Sequence, residues 1–404
     1  MQLPQYVISV LNTLNKCGYE AFVVGGSVRD FLMGREPVDY DITTSATPDQ
    51  IKDSFKNKNI IKTGIRHGTV TLIEDGHAIE ITTYRTESNY SDNRHPDRVS
   101  FTDDINQDLS RRDFTVNAIC FNPQYGYLDP FGGRNDIKGK IIKTVGDPFL
   151  RFNEDALRIL RAIRFASVLE FDVDFETEKA VRAIAVNLKS ISMERIFSET
   201  KKLLLGNACA DVLNDFYSVV CACVLPENSK IKSHPDFSAL LYCEKDIYTR
   251  LAAFFICVSD SPKNAQSLAT ASLKFLKSDR KTAKCTELLV GAFYNNSLKT
   301  DSDIKWLINK TGFELAFRLV ELWRIFNICN DCEASAANKK IDYILKNGQC
   351  CDIGGLAISG NDLIDIKIPP IAIGGILNEL LRAVINEKVE NSKDELIKFV
   401  KNRK

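Results

Sequence analysis

The sequence predicts an α+β protein in which a mixed head of strands and helices precedes a long helical region. Residues 1–146 alternate between short strand-like and helical runs separated by glycine-rich turns. From about residue 150 to the end, apolar residues recur at helical spacing instead. At 404 residues, the chain is long enough for roughly two to four domains.

The elements of the head follow from local patterns. MQLPQYVISVLNTLNKCGYE predicts an amphipathic helix, and it lacks the basic start and cleavage site of a signal peptide. AFVV (21–24) predicts an apolar strand that breaks at Gly25 and Gly26 and continues as a short helix. GTVTLIEDGHAIEITTYR (68–85) predicts two strands joined by a turn at 74–76. In the second strand, one face is expected to carry Ile79, Ile81 and Thr83, and the other Glu80, Thr82 and Tyr84.

Composition and charge narrow the classes of function. Hydrophobic residues at 44% and charged residues at 26% describe an ordered globular chain. Because the formal net charge is zero, a nucleic-acid partner would have to meet a locally positive surface. No apolar run approaches the roughly 18–20 residues that span a bilayer, so no membrane partner is expected. The 12 cysteines lie mostly in apolar, helix-like runs, which predicts free thiols in a reducing, cytoplasmic environment.

Two features that could bind a metal ion are set aside. Cys329 and Cys332 form a CxxC, but the second pair, Cys350 and Cys351, is adjacent and lacks a nearby histidine. Core thiols are therefore favoured over a zinc site. Paired metal spacing is also absent among the histidines, for which solvated or turn positions are expected: His67, His77, His95 and His234. The stretch SHPDF (233–237) is too little to indicate a phosphohydrolase module of the HD type.

Asp39 and Asp41, in GREPVDYDIT (34–43), are the first candidate catalytic residues. In a strand, residues i and i+2 share a face, so both carboxylates are expected opposite a buried face. That buried face would consist of Val38, Tyr40 and Ile42. Two neighbouring carboxylates raise each other's pKa unless a cation neutralises them, and Mg²⁺ prefers such oxygen ligands. Glu80, on a neighbouring strand, is a candidate third carboxylate, although the pattern alone also suits a solvated strand end.

GGSVRD (25–30) is a candidate phosphate-binding turn. Gly25, Gly26 and Ser27 lie where a strand is expected to become a helix, and backbone amides there can approach phosphate oxygens. Arg29 adds a guanidinium suited to phosphate. A tight structural turn explains this stretch equally well by itself. A phosphate-binding turn about ten residues before an acid pair instead favours phosphoryl or nucleotidyl transfer by two metal ions.

These stretches resemble a known family. FVVGGSVRDFLMGREPVDYDITTSATPDQI (22–51) is similar to the signature of class II tRNA nucleotidyltransferases, which include CCA-adding enzymes and bacterial poly(A) polymerases. RRDFTVNAI (111–119), DPFGGRNDIKGKIIKTVGDP (129–148) and RFNEDALRILRAIRFA (151–166) match in the family's order. The resemblance implies a polymerase-β-like nucleotidyltransferase head followed by an all-α neck, body and tail. With candidate junctions near 206–207 and 295–301, these parts would be head 1–146, neck 147–206, body 207–298 and tail 299–404.

A charged stripe follows the head. Asp155, Arg158, Arg161 and Arg164 recur at every third position of an otherwise apolar predicted helix, which is costly unless the stripe meets opposite charge or a ligand. Internal salt bridges are one explanation. In the second explanation, the stripe binds a nucleotide, and Asp155 accepts a hydrogen bond from the exocyclic amine that cytosine and adenine share. Uracil and guanine carry a carbonyl oxygen at that position instead. Arg158 would donate to the neighbouring ring nitrogen.

The resemblance implies roles for these residues and for the RRDFTVNAI segment. Asp155 and Arg158 would form the amino-acid template for CTP and ATP, with Arg161 and Arg164 holding the triphosphate or the helix geometry. In RRDFTVNAI, Arg112 would contact the nucleotide, Asn117 would orient the sugar or neighbouring side chains, and Asp113 is expected to cap the following turn. The polar stretch 91–105 resembles the flexible loop of CCA-adding and A-adding members, which CC-adding members lack.

The sequence therefore predicts an enzyme that adds C, C and A to the 3′ end of tRNA from CTP and ATP, with Mg²⁺ at Asp39 and Asp41 and support from Glu80. The tRNA acceptor arm is the expected macromolecular partner. Lysines of the tail segment NEKVENSKDELIKFVKNRK are candidate phosphate contacts, or else an ordinary solvated helix face. An A-adding enzyme, a poly(A) polymerase, a small-molecule nucleotidyltransferase and a non-catalytic tRNA-binding protein are the alternatives. No oligomeric state is predicted.

Overall fold

The computed structural model describes residues 1–61, 68–88, 98–294, 298 and 300–402. The chain divides into two compact units, Met1–Val224 and Leu225–Lys404. The first unit contains strands and helices, and the described residues of the second contain helices and no strand. The predicted α+β class, with a mixed head followed by helices, is confirmed. The finer division into head, neck, body and tail stays a prediction.

The first unit is built on a mixed sheet. Its strands are β1 Ala21–Val24, β2 Asp41–Thr44, β3 Asn59–Ile61, β4 Thr69–Glu74, β5 His77–Thr83, β8 Cys120–Asn122 and β9 Gly126–Leu128. Two further pairs of strands lie outside this sheet: β6 Arg85–Ser88 with β7 Arg98–Phe101, and β10 Ile141–Ile142 with β11 Asp172–Val173. The order of the large sheet is β3-β4-β5-β2-β1-β8-β9. Only β2 and β5 run parallel in it, and this pairing sets Asp41 beside Glu80.

Helices cover and extend this sheet. They are α1 Gln5–Lys16, α2 Gly26–Leu32, α3 Pro48–Ser54, α4 Ile105–Ser110, α5 Gly133–Gly139, α6 Pro148–Glu154, α7 Leu157–Leu169, α8 Phe175–Ala183, α9 Met193–Leu204 and α10 Cys209–Val224. The predicted amphipathic helix is α1, whose buried residues Val7, Val10, Leu11 and Leu14 recur at helical spacing. It packs against β1 and α3, so the N-terminal helix covers part of the sheet.

The second unit consists of packed helices. These are α11 Ile247–Val258, α12 Pro262–Phe275, α13 Arg280–Phe293, α14 Asp301–Thr311, α15 Phe313–Ile325, α16 Asp331–Lys346, α17 Gly360–Asp365, α18 Pro370–Ile385 and α19 Lys393–Lys401. Leu363, Ile385 and Leu396 are completely buried in an apolar core near the C-terminus. Within the described ranges, no helix is both long enough and apolar enough to cross a bilayer.

The predicted hairpin is confirmed. β4 and β5 are joined by Asp75 at φ +48° and Gly76 at φ +82°, the conformation that a two-residue hairpin turn requires. Burial alternates along β4, and along β5 from Ala78 to Thr83, as predicted. Tyr84 is an exception, because it follows the strand and is completely buried instead of sharing the open face with Glu80.

The strand predicted around the acid pair is shorter than expected. β2 begins only at Asp41, so Asp39 lies in the irregular segment before it, and Val38 is 88% exposed instead of buried. Tyr40 and Ile42 are buried as predicted. The physical reason is the length of the neighbouring strand: β1 ends at Val24, opposite Asp41, and offers no partner to earlier residues.

The predictions that the cysteines are core thiols and that the histidines are solvated are only partly confirmed. Cys350 and Cys351 are buried, but Cys332 is exposed, so the core-thiol interpretation is wrong for that residue. His77 and His234 are exposed, as expected. His67, His95 and residues 89–97, which include most of the predicted loop, lie outside the described residues.

Candidate active site

The glycine turn joins β1 to α2. Gly25 has φ +76° and ψ −131°, a backbone conformation that favours glycine, and it is the N-cap residue of α2. A Cβ at this position would lie 3.5 Å from Nη1 of Arg112, so the turn packs closely under that guanidinium. The hydroxyl of Ser27 donates to the carbonyl of Val24, which leaves the backbone of the turn as its main donor of hydrogen bonds to a ligand. Two predicted parts of the phosphate site, the turn and Arg112, therefore lie together.

Asp39, Asp41 and Glu80 form an open carboxylate cluster. All three side chains are exposed, and Asp41 is directly opposite Glu80 across the parallel strands. The pKa of Asp41 is raised by partial desolvation and by the charges of Glu80 and Asp39, while Arg112 acts in the opposite direction. A carboxylate held near like charges is a favourable ligand for a cation. The described ranges contain no group of three or more histidine, cysteine or acidic side chains arranged to hold a metal ion, so oxygen ligands from a substrate would have to complete such a site.

Asp108 is a site residue that the sequence reasoning missed. It is completely buried on α4, where it accepts hydrogen bonds from Thr43 and from both Arg111 and Arg112. Burial alone would raise the pKa of this carboxyl, but the two arginines outweigh it and lower the pKa. Because Thr43 lies on β2 beside the acid pair, Asp108 fixes Arg112 relative to Asp41. The spacing in DLSRRD, with arginines three and four residues after the aspartate, was the available signal.

Asp108→Ala is expected to destabilise the folded protein by about 3–5 kcal/mol, because it removes a completely buried carboxylate that pairs with the partly buried Arg112 and shares Arg111 with Glu87. Urea denaturation at pH 7 measures this free energy. Since the folded-state pKa is lowered, the contribution of Asp108 is present above the unfolded pKa and is lost as pH falls through the folded one. Asp103→Ala, at an exposed acid five residues earlier, is the matched control. Equal stability of the two variants would contradict this role.

A second network joins the glycine turn to α7. Nη1 of Arg29 donates to Oδ1 of Asn117 at 2.6 Å, and Nδ2 of Asn117 donates to Asp113. The other oxygen of Asp113 accepts a hydrogen bond from Nε of Arg161 at 3.0 Å. Burial alone would raise the pKa of Asp113, but Arg161 and these hydrogen bonds lower it far below its usual range. The expectation that Asp113 caps the next turn is wrong, because that turn spans Thr115–Asn117 and begins after Phe114.

The charged stripe is only partly helical. α6 ends at Glu154 and α7 begins at Leu157, so Asp155 lies in an extended break between helices, and the prediction of one continuous helix is wrong. The break has a local cause, since Oδ1 of Asp155 accepts a hydrogen bond from the backbone of Leu157, as a capping residue does. Arg158, Arg161 and Arg164 follow on α7 as predicted.

Every member of the stripe has an ionic partner within the first unit. Asp155 accepts from Arg195 at 3.0 Å, and Arg158 donates to Glu154 at 2.7 Å. The partners of the other two arginines are Asp113 for Arg161 and Glu199 for Arg164. The guanidinium of Arg164 also lies 3.6 Å from the centre of the Phe165 ring, and burial lowers its pKa to about 10. Internal salt bridges thus account for the charges of the stripe.

Arg158 connects the stripe to the rest of the site. Its Nη2 donates to the backbone carbonyl of Arg111 at 3.1 Å. Arg111 immediately precedes Arg112, which lies over the glycine turn and near the acids. The glycine turn, the acid pair and the stripe are therefore parts of one connected site in the first unit. Its ionic partners Glu154, Arg195 and Glu199 were not predicted from the sequence.

Comparison with known proteins places this site in a family. Residues 21–143 match the model of the poly A polymerase head domain, 170–217 that of the probable RNA and SrmB-binding site of polymerase A, and 246–400 a putative domain 2 of tRNA nucleotidyltransferases. The CCA-adding enzyme of Lactobacillus helveticus is 35% identical over 97% of this chain and 95% of its own length. The chain belongs to the CCA-adding enzyme family. It is a nucleotidyltransferase, a class of enzyme that is generally metal-dependent.

Another relative and two solved structures are also similar to this chain. The CCA-adding enzyme of Lactococcus lactis is 36% identical over 97% of this chain and 94% of its own. The crystal structure of the CCA-adding enzyme of Bacillus stearothermophilus in complex with CTP superposes with a TM-score of 0.82 at 30% identity, covering 100% of this chain and 99% of that one. A tRNA nucleotidyltransferase complexed with a primer tRNA and an incoming ATP analog shares the fold, with a TM-score of 0.60 at 22% identity over 84% of this chain and 98% of that one.

Proposed function

We propose that the protein adds C, C and A in sequence to the 3′ end of tRNA, using CTP and ATP and releasing pyrophosphate, without a nucleic-acid template. The main support is similarity over nearly the whole chain to proteins named CCA-adding enzymes, including one whose structure is a complex with CTP. The connected site of glycine turn, carboxylates and charged helix supplies each part that such a reaction needs. We also propose that this reaction takes place in the cytoplasm.

Asp39 and Asp41 would hold the metal, which we propose to be Mg²⁺. Their oxygen donors suit a hard divalent cation, and the raised pKa of Asp41 indicates a carboxylate in need of positive charge. A bound metal would activate the 3′-hydroxyl of the primer as a nucleophile and would neutralise the negative charge of the triphosphate. Glu80 adds negative charge beside Asp41 and so strengthens the attraction of the cluster for cations. The backbone of Gly25, Gly26 and Ser27 would contact the phosphates.

Arginine side chains would complete the triphosphate site. Arg112 reaches over the glycine turn, and Arg29 lies within the network of Asn117 and Asp113. Arg161 and Arg164 extend this positive charge along α7. Their acidic partners hold the guanidinium groups in fixed positions before a nucleotide arrives, so little ordering is needed on binding.

Asp155 and Arg158 would select the base. Each oxygen of Asp155 accepts one hydrogen bond from the protein, and a carboxylate has room for about four, so Asp155 can still accept one from an exocyclic amine. Arg158 donates three hydrogen bonds of the five that a guanidinium offers, to Glu154 and to the carbonyls of Arg151 and Arg111. Cytosine and adenine match this donor and acceptor pair, and uracil and guanine do not.

The helical remainder would hold the tRNA. We propose the division into head 1–146, neck 147–206, body 207–298 and tail 299–404. The body and tail would bind the acceptor arm by recognising its shape and its backbone. Lys393 on α19 pairs with Asp362, whereas Lys401 lies at the exposed end of the same helix. Exposed lysines such as Lys401 are the better candidates for phosphate contacts.

Three tRNA substrates separate CCA addition from its nearest alternatives. Primers that end at the discriminator base, at C and at CC are incubated with Mg²⁺ and either labelled CTP or labelled ATP. We expect C on the first two primers and A on the third. Incorporation of A on the CC primer alone would instead show an A-adding enzyme. Long A tracts on unrelated RNA would show a poly(A) polymerase.

A further inference from the structure

An open groove in the first unit is lined by none of the candidate active-site residues. It is bounded by the C-terminal end of α2, by β9 and α5, and by Phe171 after α7, and its volume is about 890 Å³. Nothing in the candidate reaction uses it. We call this feature the α2–α5 groove.

Positive charge is concentrated in the α2–α5 groove. Arg134, Lys138 and Lys140 line it, all with exposed side chains. Within the ranges that the structure describes, none of the three forms an ion pair, in contrast to the arginines of α7. The only acidic lining residue, Asp129, uses both carboxylate oxygens to accept the backbone amides of Gly133 and Arg134. A chain with zero formal net charge thus presents three unpaired cations around one cavity.

An apolar wall faces these cations. Leu32 and Met33 contribute partly exposed side chains to the lining, and Phe171 a buried one. The guanidinium of Arg134 lies 5.1 Å from the centre of the Tyr127 ring, which extends the flat surface available for stacking. Cations next to flat and apolar surface are the combination that binds single-stranded nucleic acid, whose phosphates and bases meet the two kinds of surface.

The groove is rigidly connected to the site. A Cβ on Gly133 would lie 2.1 Å from the carbonyl oxygen of Thr115, so α5 is pressed against the turn that ends at Asn117. The hydroxyl of Thr115 also donates to Asp136 of α5 at 2.6 Å. On the opposite wall, Leu32 is three residues after Arg29 on α2, about 4.5 Å along the helix axis. An RNA strand held in the groove would therefore lie close to the phosphate-binding turn.

We propose that the α2–α5 groove binds backbone phosphates of the RNA substrate, through Arg134, Lys138 and Lys140 and without base specificity. The choice of tRNA as the source of the RNA rests on the proposed function. Solvent-exposed cations around an open groove suit a polyanion that passes through it, because phosphate contacts hold position and register without reading sequence.

The test is the salt dependence of tRNA binding to Lys138→Ala/Lys140→Ala in the full chain, measured without nucleotides. Each lost phosphate contact lowers the slope of log Kd against log salt by roughly 0.7–0.9, so the double variant should lose about 1.5 from the slope. Its Kd should rise about tenfold at 150 mM salt. The control, Lys56→Ala/Lys179→Ala, also removes two exposed positive charges from the first unit but lies outside the groove.

Steady-state kinetics supplies the second readout. The groove variant should raise the KM for tRNA while kcat and the KM values for CTP and ATP stay unchanged. A salt slope equal to that of the control would overturn the proposal, and so would a change confined to the KM of a nucleotide, which would indicate a small-molecule site. If the wild-type chain adds no nucleotide but the groove variant still loses RNA binding, the proposed function fails and the groove assignment survives.

Discussion

Asp41→Asn should lower nucleotide incorporation by about a thousandfold or more while leaving tRNA binding nearly intact. The side chain keeps its size and position on β2 but loses the charge that attracts a divalent cation. Stabilisation by a catalytic metal amounts to several kcal/mol, and every 1.36 kcal/mol corresponds to a factor of ten in rate. The measurement is single-turnover addition of labelled ATP to tRNA ending in CC, with tRNA affinity measured in parallel.

The same substitution should make the metal-free protein more stable. Since the folded-state pKa of Asp41 is raised, the folded protein binds more protons than the unfolded one between the two pKa values. Stability therefore falls as pH rises through that window, and removing the charge removes the penalty at pH 7. Thermal melting with a chelator present should show a higher Tm for the variant.

Asp53→Asn, at an exposed acid after the active-site strand, is the control for both measurements and should match the wild type. Retained activity in Asp41→Asn would contradict the metal assignment and would favour a non-catalytic tRNA-binding protein. A variant that loses tRNA binding as well would show a general structural defect instead.

Asp155→Asn should have the second largest effect, on the choice of base. An amide can donate a hydrogen bond where the carboxylate can only accept one, so the carbonyl groups of uracil and guanine would no longer be repelled. A good pair of hydrogen bonds to a base edge is worth about 1–3 kcal/mol of discrimination. We expect kcat/KM for CTP and ATP to fall about 10–100-fold, and the preference over UTP and GTP to narrow by a similar factor.

Competition assays with all four nucleotides on one primer measure this preference. Asp172→Asn, at an exposed acid on β11, controls for the loss of one negative charge from the first unit. Asp155 also accepts a hydrogen bond from Arg195, so the melting temperature of the variant must be compared with the wild type. Unchanged discrimination in a stably folded Asp155→Asn variant would assign Asp155 to an internal salt bridge alone.

Local patterns predicted much of the fold. The apolar strand that breaks at Gly25, the amphipathic first helix and the tight turn at Asp75 depend on neighbouring residues, and the structure has each of them. The bounds of β2 could not be obtained in this way, because they depend on where β1 ends. Asp155 could have been placed at a helix break, since aspartate commonly caps helices and here it precedes a helical run.

The ionic partners of the charged residues could not be predicted from the sequence, for a different reason. Arg161 meets Asp113 at a sequence separation of 48, and Asp155 meets Arg195 at a separation of 40. Such pairs are fixed by the packing of whole helices, such as α7 against α9, and not by spacing along the chain. The sequence pattern thus identified which residues carry charge in a buried place but not what neutralises them.

The central claim is that this protein itself specifies the sequence that it adds. The most direct test is to incubate it with Mg²⁺, all four nucleoside triphosphates and a tRNA that ends at the discriminator base, and then to sequence the 3′ ends of the products. The account predicts that C, C and A are added in that order and that addition then stops. Products that carry A alone, continue into long A tracts or include U and G would contradict it.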